Sequence, residues 1–151
     1  LLSNGLPYEA AGVLEKGMAA SLVPSQKDTY ELLTNAFLQA REGDRALEPL
    51  TKGADLADDA QLYLLLGKVH LQRDRYKEAV SALNQGLAKA KPEQRGKVYL
   101  LLGVALLGAN RLDDAEVAFR SPAGDEKTRA EAESYLKFVS QERTRRQGMG
   151  A

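Results

Sequence analysis

The chain has 151 residues, 44% of them hydrophobic, with 21 basic and 21 acidic side chains, one His, no Cys and no Trp. That length supports one domain with a real core. A formal charge of zero disfavours a protein that lives on nucleic-acid phosphate or an anionic membrane, and the missing cysteines exclude a disulfide scaffold, a thiolate zinc site and a cysteine nucleophile.

Self-similarity organises the chain, and its elements fall into register with a repeat. Tyr63-Leu64-Leu65-Leu66-Gly67 recurs as Tyr99-Leu100-Leu101-Leu102-Gly103, and a degraded copy, Tyr30-Glu31-Leu32-Leu33-Thr34, precedes both. The offsets are 33 and then 36 residues. Ala46, Ala79 and Ala115 keep the same register, as do Leu50, Leu83 and Phe119, then Phe37, His70 and Leu106, then Gly53 and Gly86.

In chain order, residues 1–22 form a partial repeat. Its Tyr8, Ala10, Leu14 and Gly17 match second-helix columns, so the chain is expected to start inside an earlier unit. No basic-then-apolar leader is legible after Leu1. Repeat 1 covers 26–57, with helices expected near 26–41 and 45–57. Pro49 is expected to shorten or bend the second of these. Repeat 2 covers 59–90 (helices 60–72 and 75–90), and repeat 3 covers 93–122 (helices 93–108 and 112–120). Glu42-Gly43-Asp44, Arg73-Asp74-Arg75 and Ala109-Asn110-Arg111 read as the turns within hairpins. Pro24, Asp58-Asp59 and Lys91-Pro92 part the units, and Pro122 ends the last hairpin.

Residues 125–147 read as one long capping helix with an apolar stripe of Ala132, Tyr135, Leu136 and Val139; residues 148–151 read as a disordered tail. No period-two alternation suggests a strand. The longest apolar stretch, Val98 to Ala109, is shorter than the roughly 20 residues of a membrane span, so no membrane insertion is expected. The fold class is therefore all-α: an α-solenoid of stacked helical hairpins in a single domain over 1–147, closed by the C-terminal helix. Gly67 and Gly103 are expected to let the second helix close on the first, opposite Ala79 and Ala115.

Catalytic chemistry finds no support. His70 stands alone in a column otherwise held by Phe37 and Leu106, which favours a packed histidine over a metal ligand. No phosphate-binding glycine loop is present. Asp55, Asp58 and Asp59 lack the glycine and terminal glutamate of a calcium loop and read as a solvated helix start. Arg143, Arg145 and Arg146 complement a helix C-terminus, with Glu131, Glu133 and Glu142 balancing them. The expectation is a non-enzyme with no cofactor, no metal and no nucleic-acid partner.

The columns Tyr63, Leu66, Gly67, Tyr76, Ala79 and Leu83 resemble the tetratricopeptide repeat, and the likeness covers three units. The first is the weakest, with Thr34 where the glycine stands. The resemblance implies a concave groove, lined by first helices, that holds a partner segment. Carried onto this chain, the groove positions are Asp28, Glu31, Asn35, Leu38 and Gln39, then Gln61, Leu64, Lys68, Leu71 and Gln72, then Lys97, Leu100, Val104 and Leu107. Asn35 matches the family position that bonds a peptide backbone. Glu31, Leu64 and Leu65 replace the basic residues that in some members clamp a chaperone's C-terminal carboxylate, so that ligand is not expected. Exposed leucines in the groove would form an apolar patch of the kind that marks an interaction site, unless the C-terminal helix or neighbouring first helices cover them.

Three further phrases are similar to a narrower group: Leu6-Pro7-Tyr8-Glu9-Ala10-Ala11 with Leu14-Glu15-Lys16-Gly17, then Asp58-Asp59-Ala60-Gln61-Leu62-Tyr63, then Arg129-Ala130-Glu131-Ala132 with Tyr135-Leu136-Lys137-Phe138. They resemble the C-terminal part of periplasmic tetratricopeptide proteins encoded beside TonB-type energy-transduction genes in gammaproteobacteria. That resemblance implies a periplasmic adaptor whose protein partner belongs to an envelope energy-transduction complex, with the export signal outside this sequence. The alternatives are a cytoplasmic location, and a self-associating scaffold or spacer in which the chain forms a homodimer.

Overall fold

The computed structural model describes Glu9 and residues 12–17, 27–121 and 125–150, and every regular element among them is a helix. The segments holding Tyr8, Ala10, Pro24 and Pro122, for which roles were expected, lie outside the described residues. By contact the chain divides into two compact units, Leu1–Asp58 and Asp59–Ala151.

The first unit contains α1 (described at Glu9 and residues 12–17), α2 (Lys27–Gln39) and α3 (Gly43–Leu56). Helices α2 and α3 form a hairpin. Its core is Leu33, Ala36, Phe37 and Ala46, with Leu14 and Leu38 packed against it. Thr34, in the glycine column, is buried; its hydroxyl donates to the Tyr30 carbonyl at 2.8 Å, which satisfies a polar group that burial would otherwise penalise. Pro49 does not shorten α3, which has the same 14 residues as its counterpart α5. Proline removes one backbone bond, but Pro49, Leu50, Gly53 and Ala54 are all buried, and that burial outweighs the loss.

The second unit contains two hairpins and a long helix: α4 (Gln61–Gln72) with α5 (Tyr76–Lys89), α6 (Pro92–Gly108) with α7 (Leu112–Arg120), then α8 (Glu126–Gly150). Helix α6 packs on both α4 and α5, and α8 packs on α7 and α6, so the layers stack in chain order. A continuous core runs through Leu83, Val98, Leu102, Leu106, Phe119 and Val139.

The glycine columns are sterically required. A Cβ at Gly67 would lie 2.6 Å from Leu83 Cδ2, and one at Gly103 would enter the Phe119 ring. The glycines thus receive the large apolar residue of the second helix. Ala79 and Ala115 are fully buried in the same core. Gly86 plays the reciprocal part, since a Cβ there would lie 2.8 Å from the Tyr63 Cβ. Between hairpins, the Gln94 side chain accepts the N–H groups of both Ala60 and Lys91 at 3.1 Å. It therefore caps its own helix while satisfying a backbone donor of the preceding hairpin.

The three turns within hairpins share one geometry. Arg41, Asp74 and Asn110 have φ of 61°, 55° and 62°, in the left-handed region, at the repeat offsets. The N–H of the next residue bonds back to Phe37, His70 or Leu106 at 2.8–2.9 Å, which is the Schellman closure of a helix end. The phenol of Tyr76 donates to the Asp74 carboxylate at 2.9 Å. The expected turn at Glu42-Gly43-Asp44 is centred one residue or more too late, because Arg41 bears the left-handed conformation and Gly43 already begins α3.

Two outcomes test this geometry. Arg41→Gly relieves the left-handed strain and should stabilise the first unit by about 1 kcal/mol, read from urea unfolding. Gly86→Ala places a methyl against the Tyr63 Cβ, which cannot rotate away. It should cost about 1–3 kcal/mol, and an unchanged denaturation midpoint would contradict the packing described.

Candidate docking face

In the first unit, Asn35 and Gln39 are exposed on α2 and Leu38 is half-buried against the local core. In the second unit, Lys68 and Gln72 are exposed on α4, whereas Leu64, Leu71, Leu100, Val104 and Leu107 are half-buried. These five pack against the core cluster with part of each side chain still accessible. Leu64, Lys68, Leu71 and Gln72 recur at three- and four-residue intervals and so lie along one side of α4, with exposed and half-buried positions interleaved.

The structure brings Leu64, Lys68 and Leu100 together around a cavity of about 270 Å³. Its remaining lining is Lys97 and Leu101 from α6 and Asp125, Lys127, Thr128 and Glu131 from the start of α8. Leu107 lies elsewhere, in a second cavity of about 290 Å³ shared with Ser134, Tyr135 and Phe138. Sequence reasoning treated α8 only as a cap and so missed Lys127, Tyr135 and Phe138. A signal was present, because Tyr135-Leu136 stands 36 residues after Tyr99-Leu100, at the repeat offset.

Helix α8 is fixed along its length. At its start, the Asp125 carboxylate accepts the Thr128 N–H at 2.7 Å. That bond, chiefly, then the Thr128 hydroxyl and, more weakly, Lys97 and Lys127, hold Asp125 below the usual carboxylate range, against the opposing effect of burial. In the middle, Tyr135 stacks on Phe119 with centroids 4.9 Å apart. Ala132 and Val139 are buried as expected for the stripe, and Thr128 joins them. Towards the end, Arg143 pairs with Glu116 and Asp113 of α7, and Arg146 donates to the Asn110 side-chain carbonyl at 2.6 Å. Arg145 and Arg146 both pair with Glu142 and hold its carboxyl down to about 2. The arginine cluster is thus engaged with α7 and with Glu142, rather than balanced by Glu131 and Glu133. Arg145 also reaches Met149 at 3.2 Å, and the helix continues through Gly150 where a disordered tail was expected.

Asp59 accepts the Gln61 N–H at 3.0 Å near the start of α4, whereas Asp55 lies in the last turn of α3, away from any helix start. Among the described residues no group of three or more His, Asp or Glu could hold a metal ion, and no helix is long and apolar enough to cross a membrane. His70 packs in its column with Nδ1 buried and without a hydrogen-bond partner.

No protein-family model matches the chain, and no curated protein matches it. Solved structures do. A crystal structure of MamA protein is similar over 89% of this chain and 68% of its own, at 24% identity and a TM-score of 0.62. The tetratricopeptide domain of Arabidopsis OM64 is similar over 89% of this chain and 98% of its own, at 17% identity and a TM-score of 0.57. The fold is a tetratricopeptide solenoid. In that fold α4 and α6 are first helices of their repeats, and α8 follows α7 as a further first helix would.

Burial pushes the His70 imidazole below its ordinary 6.5, with Glu78 opposing and Arg75 adding to the shift. The unfolded chain therefore takes up the proton first. Stability should fall as pH drops below about 6.5, and level off once folded His70 also protonates. His70→Leu, matching Leu106 in the column, should flatten that part of a thermal-unfolding profile measured from pH 8 to 5.

Proposed function

We propose that the chain is a non-catalytic adaptor that docks a segment of a partner protein on the tetratricopeptide first-helix face. The observation that carries this reading is the cavity at Leu64 and Leu100, where half-buried leucines lie beside exposed lysines. Apolar side chains that retain accessible surface, rimmed by polar and charged groups, are the usual anatomy of a protein-binding patch. Leu64, Leu100 and Val104 supply apolar contact, and Lys68 and Gln72 orient the segment. Asn35, Leu38 and Gln39 are the corresponding positions of the first unit. Affinity is expected to be modest, since an extended segment loses conformational entropy on docking.

The similarity of the three phrases to periplasmic proteins encoded beside TonB-type genes supports an envelope location and a partner in an energy-transduction complex. A cytoplasmic location is the alternative. A second functional reading is a self-associating scaffold or spacer, favoured by Phe138, which is 50% exposed beside Leu107.

A crosslinked pull-down from bacterial envelope extract, with partners identified by mass spectrometry, tests the adaptor. Leu64→Arg with Leu100→Arg should abolish capture while helical content by circular dichroism is unchanged. Equal capture by both proteins would move the site off this face. Light scattering that finds a dimer lost on Phe138→Glu would favour the scaffold.

A further inference from the structure

We infer that the face built by α4, α6 and α8 selects an acidic segment, one whose aspartate or glutamate side chains alternate with aliphatic residues. This rests on the docking reading above and adds the chemistry of the ligand. The cavity has an apolar floor of Leu64, Leu100 and Leu101, and one lysine from each of three helices on its rim: Lys68, Lys97 and Lys127. All three lysines are exposed, and among the described residues none makes a salt bridge. Two carboxylates, Asp125 and Glu131, share the lining; Asp125 accepts the Thr128 N–H and stays ionised beside Lys97 and Lys127, so three positive charges stand against two negative ones. Positive charge therefore exceeds negative charge on a surface of a chain whose formal net charge is zero.

The arrangement distinguishes the source of the ligand's charge. Cations spread over three helices face more of a bound segment than a single terminal carboxylate occupies. They complement several acidic side chains along an internal stretch, while the aliphatic side chains between them lie on the leucine floor. Complementary charge of this kind sets partner choice and makes association sensitive to salt.

The test uses a random dodecapeptide library displayed with each peptide's C-terminus fused to the phage coat, panned against the immobilised chain. Selected sequences should be enriched in Asp and Glu beside Leu, Ile or Val. A synthetic peptide of the leading sequence, acetylated and amidated at its ends, should lose at least tenfold in affinity between 50 and about 500 mM salt. It should lose a similar factor against a variant carrying Lys68→Gln, Lys97→Gln and Lys127→Gln, whose surface changes leave the circular dichroism spectrum unaltered. Selection of neutral or basic sequences, selection of nothing, or indifference to the lysine variant would each overturn the inference. Neutral sequences that bind and are lost with Leu64→Arg and Leu100→Arg would leave the docking reading standing and remove only the acidic preference.

Discussion

Helices α4 and α5 close on each other because position 67 carries no side chain. Leu83 fills the space that a Cβ would occupy, and Phe119 does the same over Gly103 one repeat later. Each second helix thereby inserts a large apolar residue into a notch in the first. Burying such a side chain contributes about 1.5–3 kcal/mol, and the packing of α6 on α4 and α5 then joins the two hairpins of the second unit into one core. The first unit solves the same problem differently. Thr34 occupies the notch and turns its hydroxyl back onto its own helix, so the hairpin forms without a glycine.

The geometry of the docking face depends in turn on α8. Its cap at Asp125, its ring stack on Phe119 and its pairs with α7 act at three separate points along 25 residues. Exposed ion pairs contribute little each. The buried stripe and the stack supply the stabilisation, and the polar contacts fix the rotation of the helix about its axis. That rotation places Lys127 beside the leucines of α6 and sets Tyr135 and Phe138 beside Leu107. A helix that reads as a terminator is also one wall of the face it closes.

Most of the architecture was legible because a repeat shows the same constraint several times. Tyr63-Leu64-Leu65-Leu66-Gly67 and its copy place the first helices, and the alanine and large-apolar columns place the second ones. What the columns do not show is which position faces which. The small residues at 67 and 79 suggest each other as partners and give no sign of Leu83, whose side chain takes the place of a Cβ at 67. Arg41 was missed as the left-handed turn residue because arginine carries no such preference; only its alignment with Asp74 and Asn110 reveals it. The face was half legible. Leu64, Lys68 and Leu100 follow from the register, while Lys127 and Phe138 belong to a helix whose repeat character is hidden under a charged surface.

The spacing between repeats changes from 33 to 36 residues, and the chain absorbs the difference in a particular place. Helix α6 has 17 residues where α4 has 12, and its additional winding lies before Tyr99. That added stretch carries Gln94, which reaches back to Ala60. A small insertion made there lengthens a helix by about one turn, so the residues beyond it return to nearly the same phase. The position thus accommodates a change of length with little change of phase. Here the added turn is a tether between neighbours, and deleting it to restore a regular period would cost the stack one of its cross-links.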